Sequence, residues 1–250
     1  MKARTPLQTL RCVLGLALWM NTASIWAQNS NSLQGEVGAA MYRTPAITRT
    51  TDSSNTVLPY VYADYGPFYA RINTLGYKVM PLGLGHLELS ARVSFEGYKS
   101  AQGGISDRKS PLPIGVGTFQ KTAYGAFFAY NFYDPNSGGN LLDLMYAAKF
   151  RAGGIHFYPQ IGVERRSAKY VQHLYGVSAA EATASGFAAY SGQSSISPNI
   201  GLTAEYPLAT NLNLSYQVRK KWLDNAVTQS PLVNAKSQTT SFIALTHHFN

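Results

Sequence analysis

Histidines and carboxylates are the side chains of this sequence that could bind a metal ion or act in acid–base catalysis. The chain has no His-Glu-x-x-His motif, the spacing with which one helix presents two imidazoles to a zinc ion. Two of its histidines are adjacent, but neighbouring side chains of a strand point to opposite faces, so these two cannot chelate one ion. The histidines are His86, His156, His173, His247 and His248. We therefore expect no metal site and, without a phosphate loop or dinucleotide fingerprint, no cofactor.

Hydrolytic chemistry has little support in the sequence. Serine is abundant, but there is no Gly-x-Ser-x-Gly nucleophile elbow, and a Ser-His pair is defined by geometry rather than by sequence order. Glu88 and Glu96 lie on one face of an extended segment, where eight residues span roughly 26 Å at about 3.3 Å per residue. Two carboxylates that cleave a glycosidic bond lie within about 10 Å of each other. We expect no catalytic residues, and the sequence identifies no ligand-binding residues.

The two glutamates belong to residues 86–98, which alternate between polar and apolar side chains without interruption. Successive residues of a strand point to opposite faces, so this strand has one apolar face and one polar, charged face. The apolar face comprises Leu87, Leu89, Ala91, Val93 and Phe95. The polar face comprises His86, Glu88, Ser90, Arg92, Ser94 and Glu96.

Several other segments repeat this alternation, as expected of a barrel with lipid outside and water inside. The chain is rich in tyrosine (17 residues) and glycine (22 residues), which suit the water–hydrocarbon boundary and tight turns respectively. A soluble β-sandwich also alternates, but its outer face is usually charged, whereas the polar face here carries many small neutral residues. The sequence therefore predicts an all-β fold, a closed antiparallel transmembrane β-barrel.

Ten strands are predicted, several of them separated by turn signals such as Gly66-Pro67 and residues 151–154. They are residues 33–43, 56–65, 67–76, 86–98, 118–131, 141–150, 155–163, 195–206, 211–219 and 239–249. Short and long connections alternate, as in a barrel with short periplasmic turns and long external loops. The long link 99–117 falls where a short turn is expected. Twelve strands, with an extra hairpin in that region, are therefore the alternative.

The first 27 residues have the features of a secretory signal peptide. Basic residues precede a short apolar run, Cys12 to Met20, and Ala27 could end a cleavage site. The run is much shorter than the roughly 20 residues of a membrane-spanning helix. We expect residues 1–27 to be cleaved on export and residues 28–250 to form the barrel domain. Because Cys12 is the only cysteine, the mature chain would have no disulfide.

The chain is basic, which restricts the partners it could have. Its formal net charge of +9 falls to +6 once the signal, with three basic residues and no acid, is removed. We expect no nucleic-acid binding, since an exported protein meets little nucleic acid. Basic loops that face anionic lipopolysaccharide, or a basic lumen, explain the charge better.

Residues 164–194 form the longest unassigned segment. Residues 170–177 combine aromatic and polar side chains, and Ser178 could cap a short helix that begins the alanine-rich part. Two interpretations remain open. The segment is either a loop that covers the barrel mouth or a binding loop or plug that folds into the lumen.

Several short motifs resemble the MipA/OmpV family of outer-membrane proteins. In the carboxyl-terminal half they are Tyr175-Gly176-Val177-Ser178, Glu181-Ala182, Ser185-Gly186, Tyr190, Tyr206-Pro207-Leu208, Trp222-Leu223-Asp224-Asn225-Ala226 and Ser230-Pro231-Leu232-Val233. Further upstream they are Leu58-Pro59-Tyr60, Tyr65-Gly66 and Phe68-Tyr69-Ala70. The resemblance spans nearly the whole mature chain. One departure is the carboxyl terminus, where Asn250 follows Phe249 although barrel proteins usually end in an aromatic residue.

The resemblance implies an outer-membrane barrel of the Gram-negative envelope whose named family member binds a lytic transglycosylase and a bifunctional murein synthase. We expect a non-catalytic scaffold or interaction protein of the cell-wall machinery, in contact with outer-membrane lipid and lipopolysaccharide. A narrow pore or small-solute channel is the alternative, because ten strands leave little interior space. An outer-membrane hydrolase is the third possibility.

Overall fold

A computed structural model describes residues 32–249, so the predicted signal peptide of residues 1–27 lies outside the described part of the chain. The strands are β1 (Leu33–Thr44), β2 (Ser54–Tyr65), β3 (Phe68–Arg71), β4 (Thr74–Leu82), β5 (Gly85–Arg92), β6 (Ile114–Thr122), β7 (Gly125–Asp134), β8 (Gly139–Ala148), β9 (Phe150–Ala152), β10 (Ile155–Arg166), β11 (Ser195–Ala209), β12 (Leu212–Trp222) and β13 (Ser237–Phe249). The helices are α1 (Ala168–Tyr175), α2 (Ala179–Ser185) and α3 (Asn225–Thr228). Within residues 32–249 no helix is long and apolar enough to cross a membrane.

The strands form one closed antiparallel barrel. Each strand pairs with its neighbour in sequence, except that β8 pairs with β10 rather than with β9, and β13 returns to pair with β1 from Gly35↔Phe249 to Arg43↔Ser241. Strand β9 continues β8 beyond Lys149 and pairs with the start of β10. Counting β8 and β9 as one, the wall has 12 strands. Closure gives the first and last strands a partner each, so neither is a free edge that hydrocarbon would not tolerate.

The count of ten was wrong and the alternative of twelve is correct, although the extra strands are not where we expected them. Residues 67–76 are not one strand, because the chain reverses at Ile72-Asn73 and gives the hairpin β3–β4. Residues 118–131 likewise span the hairpin β6–β7, which reverses at Ala123-Tyr124. Neither reversal carries the glycine or proline pair that marks a two-residue turn, so the sequence hid both.

The two additional hairpins also remove the anomaly of the long 99–117 link. With twelve strands, residues 93–113 connect β5 to β6 at the end of the barrel that also carries the other long loops. The opposite end has only short turns, at residues 66–67, 83–84, 123–124, 153–154 and 210–211. By the usual asymmetry of these barrels, the short turns face the periplasm and the long loops face outward.

The alternation on β5 sorts side chains between lipid and lumen as the sequence predicted. Leu89 is 51% exposed on the outer surface, whereas Glu88 beside it is 1% exposed. The same alternation continues past the end of β5, where Phe95 is exposed and Glu96 is half-buried. Polar residues are buried inside and apolar residues are exposed outside, which is the reverse of a soluble sandwich.

The barrel wall reaches less far towards the external end at β3 than elsewhere, because β3 is short. Strand β3 has only four residues, so it pairs with β2 from Tyr62 to Tyr65 and leaves the outer part of β2 paired with β1 alone. The β3–β4 reversal therefore lies part-way up the wall. It places Ile72 at a φ of 57°, a conformation that costs a β-branched residue conformational energy.

Candidate functional site

A buried ion pair joins β3 and β5 on the inner face of the barrel wall. Both terminal nitrogens of Arg71 donate to the two carboxylate oxygens of Glu88, each over 2.9 Å. The hydroxyl of Tyr130 donates to the same carboxylate over 2.6 Å. The guanidinium also lies 4.0 Å and 4.2 Å from the ring centroids of Tyr69 and Phe119. This set of contacts joins β3, β5 and β7, which are not directly paired with one another, along one part of the inner wall.

Two glycines on directly paired strands make room for the tyrosine rings of this cluster, because Gly76 is opposite Tyr69 and Gly117 is opposite Tyr130. A Cβ at Gly117 would lie 2.0 Å from the ring of Tyr130, and a Cβ at Gly76 would lie 2.4 Å from the ring of Tyr69. Each ring therefore lies flat against its neighbouring strand. The hydroxyl of Tyr69 then reaches the hydroxyl of Ser90 at 2.5 Å. The absence of a side chain at Gly76 and Gly117 therefore lets the two tyrosine rings lie against the wall beside the Arg71–Glu88 pair.

A second charged cluster lies nearer the external mouth. Arg166, at the end of β10, pairs with Glu96 and with Glu164, the latter over 2.8 Å. Lys221 of β12 lies 3.3 Å from Glu164 and 3.8 Å from Glu96. Two cations and two carboxylates therefore balance each other. The cluster joins the β5–β6 connection to β10 and β12 at the point where the long loops begin.

The connection between β10 and β11, residues 167–194, closes the mouth above this cluster, and we call it the plug loop. The side chains of Tyr170, Val171 and Leu174 on α1 are 0% exposed. They pack in one cluster with Phe132 and Leu141, residues of β7 and β8. The hydroxyl of Tyr170 also donates to Glu96 over 3.3 Å. The segment therefore both covers the mouth and packs against the inner wall, which combines the two interpretations that the sequence left open.

The other external loops hold the plug loop in place through its backbone carbonyls. The hydroxyl of Tyr98 donates to Leu174 O over 2.8 Å, and the hydroxyl of Ser230 donates to Tyr175 O over 2.7 Å. Tyr190, near the end of the plug loop, donates to Ala226 O over 2.8 Å. Because these bonds come from two different loops, the cover of the mouth is a single packed unit.

Helix α2 adds an electrostatic contact on the outer surface of the plug loop. Ser178 caps the helix in a capping box with Glu181, as the sequence suggested for Ser178. Glu181 also pairs with Arg108 over 3.0 Å and accepts from the backbone N–H of Ser106 over 3.0 Å. Burial by itself raises the pKa of Glu181, but hydrogen bonds from Arg108, Ser178 and Ser106 outweigh it and lower the pKa to about 2.

The periplasmic half of the lumen is lined by polar and charged side chains. Glu36 accepts from the hydroxyl of Thr246 over 3.0 Å, and His156 lies 3.5 Å from Glu205. Asp64 pairs with Lys78 over 2.7 Å, and the Asp64 side chain remains 46% exposed. Charged groups of both signs therefore line the interior on the side that faces the periplasm.

Glu88 and Glu96, the two carboxylates considered for glycosidic cleavage, lie in separate charged clusters. Glu88 binds Arg71, whereas Glu96 binds Arg166, so the two carboxylates belong to different clusters. Within residues 32–249, no three His, Cys, Asp or Glu side chains are grouped to hold a metal ion. The charged partners Arg71, Arg166 and Lys221 were not singled out from the sequence. The polar–apolar alternation of their strands could have identified these three residues as facing the lumen.

The family model described as "MltA-interacting protein MipA" matches residues 37–249, a span that begins in β1 and ends with β13. The chain belongs to this family. The resemblance predicted from the loop and turn motifs is thereby confirmed, and the protein is an outer-membrane β-barrel.

Two Escherichia coli proteins of strain K12 illustrate how similar other members of the MipA family are to this chain. The protein named "Putative outer membrane protein YiaT" is 26% identical over 222 residues, which cover 85% of this chain and 89% of that protein. The MltA-interacting protein is 32% identical over 133 residues, which cover 52% of this chain and 53% of that protein.

Two solved outer-membrane structures are also similar to this MipA-family barrel. The outer membrane channel DcaP of Acinetobacter baumannii matches with a TM-score of 0.38 and 9% identity, over 87% of this chain and 96% of that chain. An anion-selective porin from Comamonas acidovorans matches with a TM-score of 0.29 and 10% identity, over 87% of this chain and 99% of that chain. Values this low carry no information about function.

The central ion pair gives a direct prediction for the stability of this MipA-family barrel. Arg71→Ala leaves the carboxylate of Glu88 buried without its cation, which we expect to cost about 3–5 kcal/mol. Lys78→Ala breaks the more exposed pair with Asp64 and should cost less than about 1 kcal/mol. Urea unfolding of the detergent-solubilised protein, followed by loss of the heat-modifiable gel band, measures both. Equal losses would show that the Arg71–Glu88 pair does not stabilise the fold.

The lowered pKa of Glu181 predicts acid sensitivity of the external cover. A carboxyl whose pKa is depressed on folding stabilises the folded state above its unfolded pKa, and that stability is lost as the pH falls. The contact between α2 and residues 105–108 should therefore weaken between about pH 4.5 and about pH 2. The protection of the Ser106 amide, which is the intrinsic exchange rate at a given pH divided by the observed rate, should fall over this range, and in Glu181→Gln it should be low even at pH 6. An unchanged amide in Glu181→Gln would contradict the assignment.

Proposed function

We propose that this protein is a non-catalytic outer-membrane barrel that binds a murein hydrolase or synthase at its periplasmic end and holds it at the membrane. It reaches the outer membrane by export through the signal of residues 1–27. The single observation that carries the proposal is the packed mouth, in which α1 side chains are fully buried against lumen-facing residues. A barrel closed in this way is suited to presenting a rigid surface rather than to conducting solutes.

The choice of partner is supported by family membership. The MltA-interacting protein carries its partner in its name, and a stretch of 133 residues aligns with this chain. A partner in the cell wall would meet the short periplasmic turns. Two of these turns present exposed apolar side chains, Leu84 between β4 and β5 and Tyr124 between β6 and β7. Exposed apolar groups on rigid turns are suitable anchors for a protein partner.

A narrow channel is the second candidate, and the charged lining of the periplasmic half of the lumen favours it. Charged groups of both signs line this half, including Glu36, Asp64, Lys78 and Glu205. Twelve strands also enclose a wider interior than eight, the number whose interior is just filled by side chains. Conduction would require the plug loop to leave the mouth.

Planar-bilayer conductance separates the two candidates. The intact protein should give no steady openings because α1 closes the mouth. Replacing residues 168–175 by a Gly-Ser segment of equal length should open it, since this removes the buried side chains of α1. The matched control replaces residues 179–185 of α2, none of which is buried, and should stay closed. Steady openings of the intact protein would favour the channel instead.

Capture of murein enzymes tests the proposed partner. The intact protein, solubilised in mild detergent, should retain a purified lytic transglycosylase or murein synthase from its own organism. Leu84→Ser combined with Tyr124→Ser should reduce capture by about tenfold, an amount that corresponds to roughly 1.4 kcal/mol. Leu112→Ser with Tyr133→Ser alters exposed apolar residues near the opposite end of the barrel and serves as the control. No capture by the intact protein, or equal capture by both variants, would count against the proposal.

A further inference from the structure

On the low side of the wall the outer part of β2 and the segment that follows β5 are not joined by backbone hydrogen bonds, and we call this gap in the pairing the lateral window. Its lower boundary is the β3–β4 reversal, where Val93 N–H donates to Asn73 O over 2.8 Å. Its upper boundary is the contact between two external loops, where Ala101 N–H donates to Thr50 O over 2.9 Å. One side is the outer part of β2, residues 54–60, and the other is residues 93–98.

The β2 side of the lateral window is a sheet edge without a partner strand. The last backbone bond on this side is from Ile72 N–H to Val61 O, over 2.7 Å. Backbone groups along a strand point alternately to its two sides, so those of Asn55, Val57 and Pro59 point the same way as Val61 O. Within residues 32–249, no backbone hydrogen bond reaches them. An open edge at the depth of the bilayer is unfavourable unless something covers it.

The far side of the lateral window cannot supply the missing strand in this structure. Residues 93–98 are engaged on their other side with residues 108–113, through the two 2.8 Å bonds between Tyr98 and Arg108. Pro111 and Pro113 in that ribbon are buried and have no N–H to donate. The segment is also attached to the plug loop, because the hydroxyl of Tyr98 donates to Leu174 O and the hydroxyl of Tyr170 donates to Glu96.

The rim of the lateral window combines apolar and cationic side chains. On its outer surface Val57 is 67% exposed and Phe95 is 65% exposed. Above them lie three exposed basic residues, Arg43 at the end of β1, Arg49 in the β1–β2 loop and Lys99 beyond residues 93–98. Within the described residues none of the three forms an ion pair with a carboxylate of the chain, so no acidic side chain neutralises their charge. Asp52 is the exposed acid of the same loop.

We propose that the lateral window is a binding site for one lipopolysaccharide molecule of the outer leaflet, with an acyl chain against Val57 and Phe95 and a lipid A phosphate at Arg43, Arg49 and Lys99. The order of these groups, apolar below and cationic above, matches the order of acyl chain and phosphate in that leaflet. The occupant is a lipid rather than an added protein strand because Pro59 removes a donor from the open edge, a device that blocks strand addition. This inference depends on the outer-membrane location and is independent of the proposed murein partner.

Native mass spectrometry of the full-length protein, released from detergent with added deep-rough lipopolysaccharide, tests the site. The intact protein should retain one lipopolysaccharide molecule. The variant Arg43→Gln/Arg49→Gln/Lys99→Gln should bind it at least about tenfold more weakly, a loss equal to that of a single good ionic contact. The control Arg165→Gln/Lys169→Gln/Lys236→Gln removes the same charge from exposed positions elsewhere near the external end and should bind normally.

Two further comparisons identify which part of the lipid is recognised. Dephosphorylated lipid A should bind as weakly to the intact protein as lipopolysaccharide binds to the window variant, and inorganic phosphate should not displace the lipid. Val57→Gln with Phe95→Gln should also weaken retention, whereas Ile161→Gln with Tyr216→Gln, exposed on the opposite strands, should not. Equal retention by both charge variants, equal binding of dephosphorylated lipid A, or a dimer mass in place of a lipid adduct would overturn the proposal.

Discussion

The constraint on which this structure depends is the pairing of backbone groups around a closed ring. Hydrocarbon offers no hydrogen bonds to an exposed N–H or C=O, so a sheet that crosses a membrane must return to its first strand. Here β13 meets β1 over a register of nine residue pairs, from Gly35↔Phe249 to Arg43↔Ser241. Once the ring is closed, alternation along each strand divides the side chains between the lipid and the lumen.

Pairing of opposite charges lowers the energetic cost of the polar groups buried in the lumen. Isolated charges at this depth would be costly, and each of the main clusters balances cations against carboxylates. Arg71 and Glu88 add aromatic rings and the hydroxyl of Tyr130, whereas Glu96, Glu164, Arg166 and Lys221 form a group of two and two. Both clusters link segments distant in sequence. The interior therefore contributes to holding the wall and the plug loop in one arrangement.

The lateral window beside β2 is the exception to full backbone pairing. It lies next to the outer loops that cover the mouth. Residues 93–98 form one side of the lateral window and also touch the plug loop through Glu96 and Tyr98. A ligand at the lateral window and the cover of the mouth would therefore share a structural element. Pro59 is compatible with the open edge, since proline has no N–H and is tolerated in strands mainly where no donor is required.

Much of the architecture could be read from the sequence because it follows from local periodicity. The alternation of residues 86–98 specified which side chains face lipid, and the loop motifs identified the family. The reversals at Ile72-Asn73 and Ala123-Tyr124 could not be read, because neither is an Asn-Gly, Asp-Gly or Gly-Gly pair of the kind that marks a two-residue turn. Which charges meet across the lumen, how α1 closes the mouth and where β2 loses its partner were decided only by the tertiary structure. These features depend on strand register and barrel closure, which bring together residues as far apart in sequence as Glu36 and Thr246.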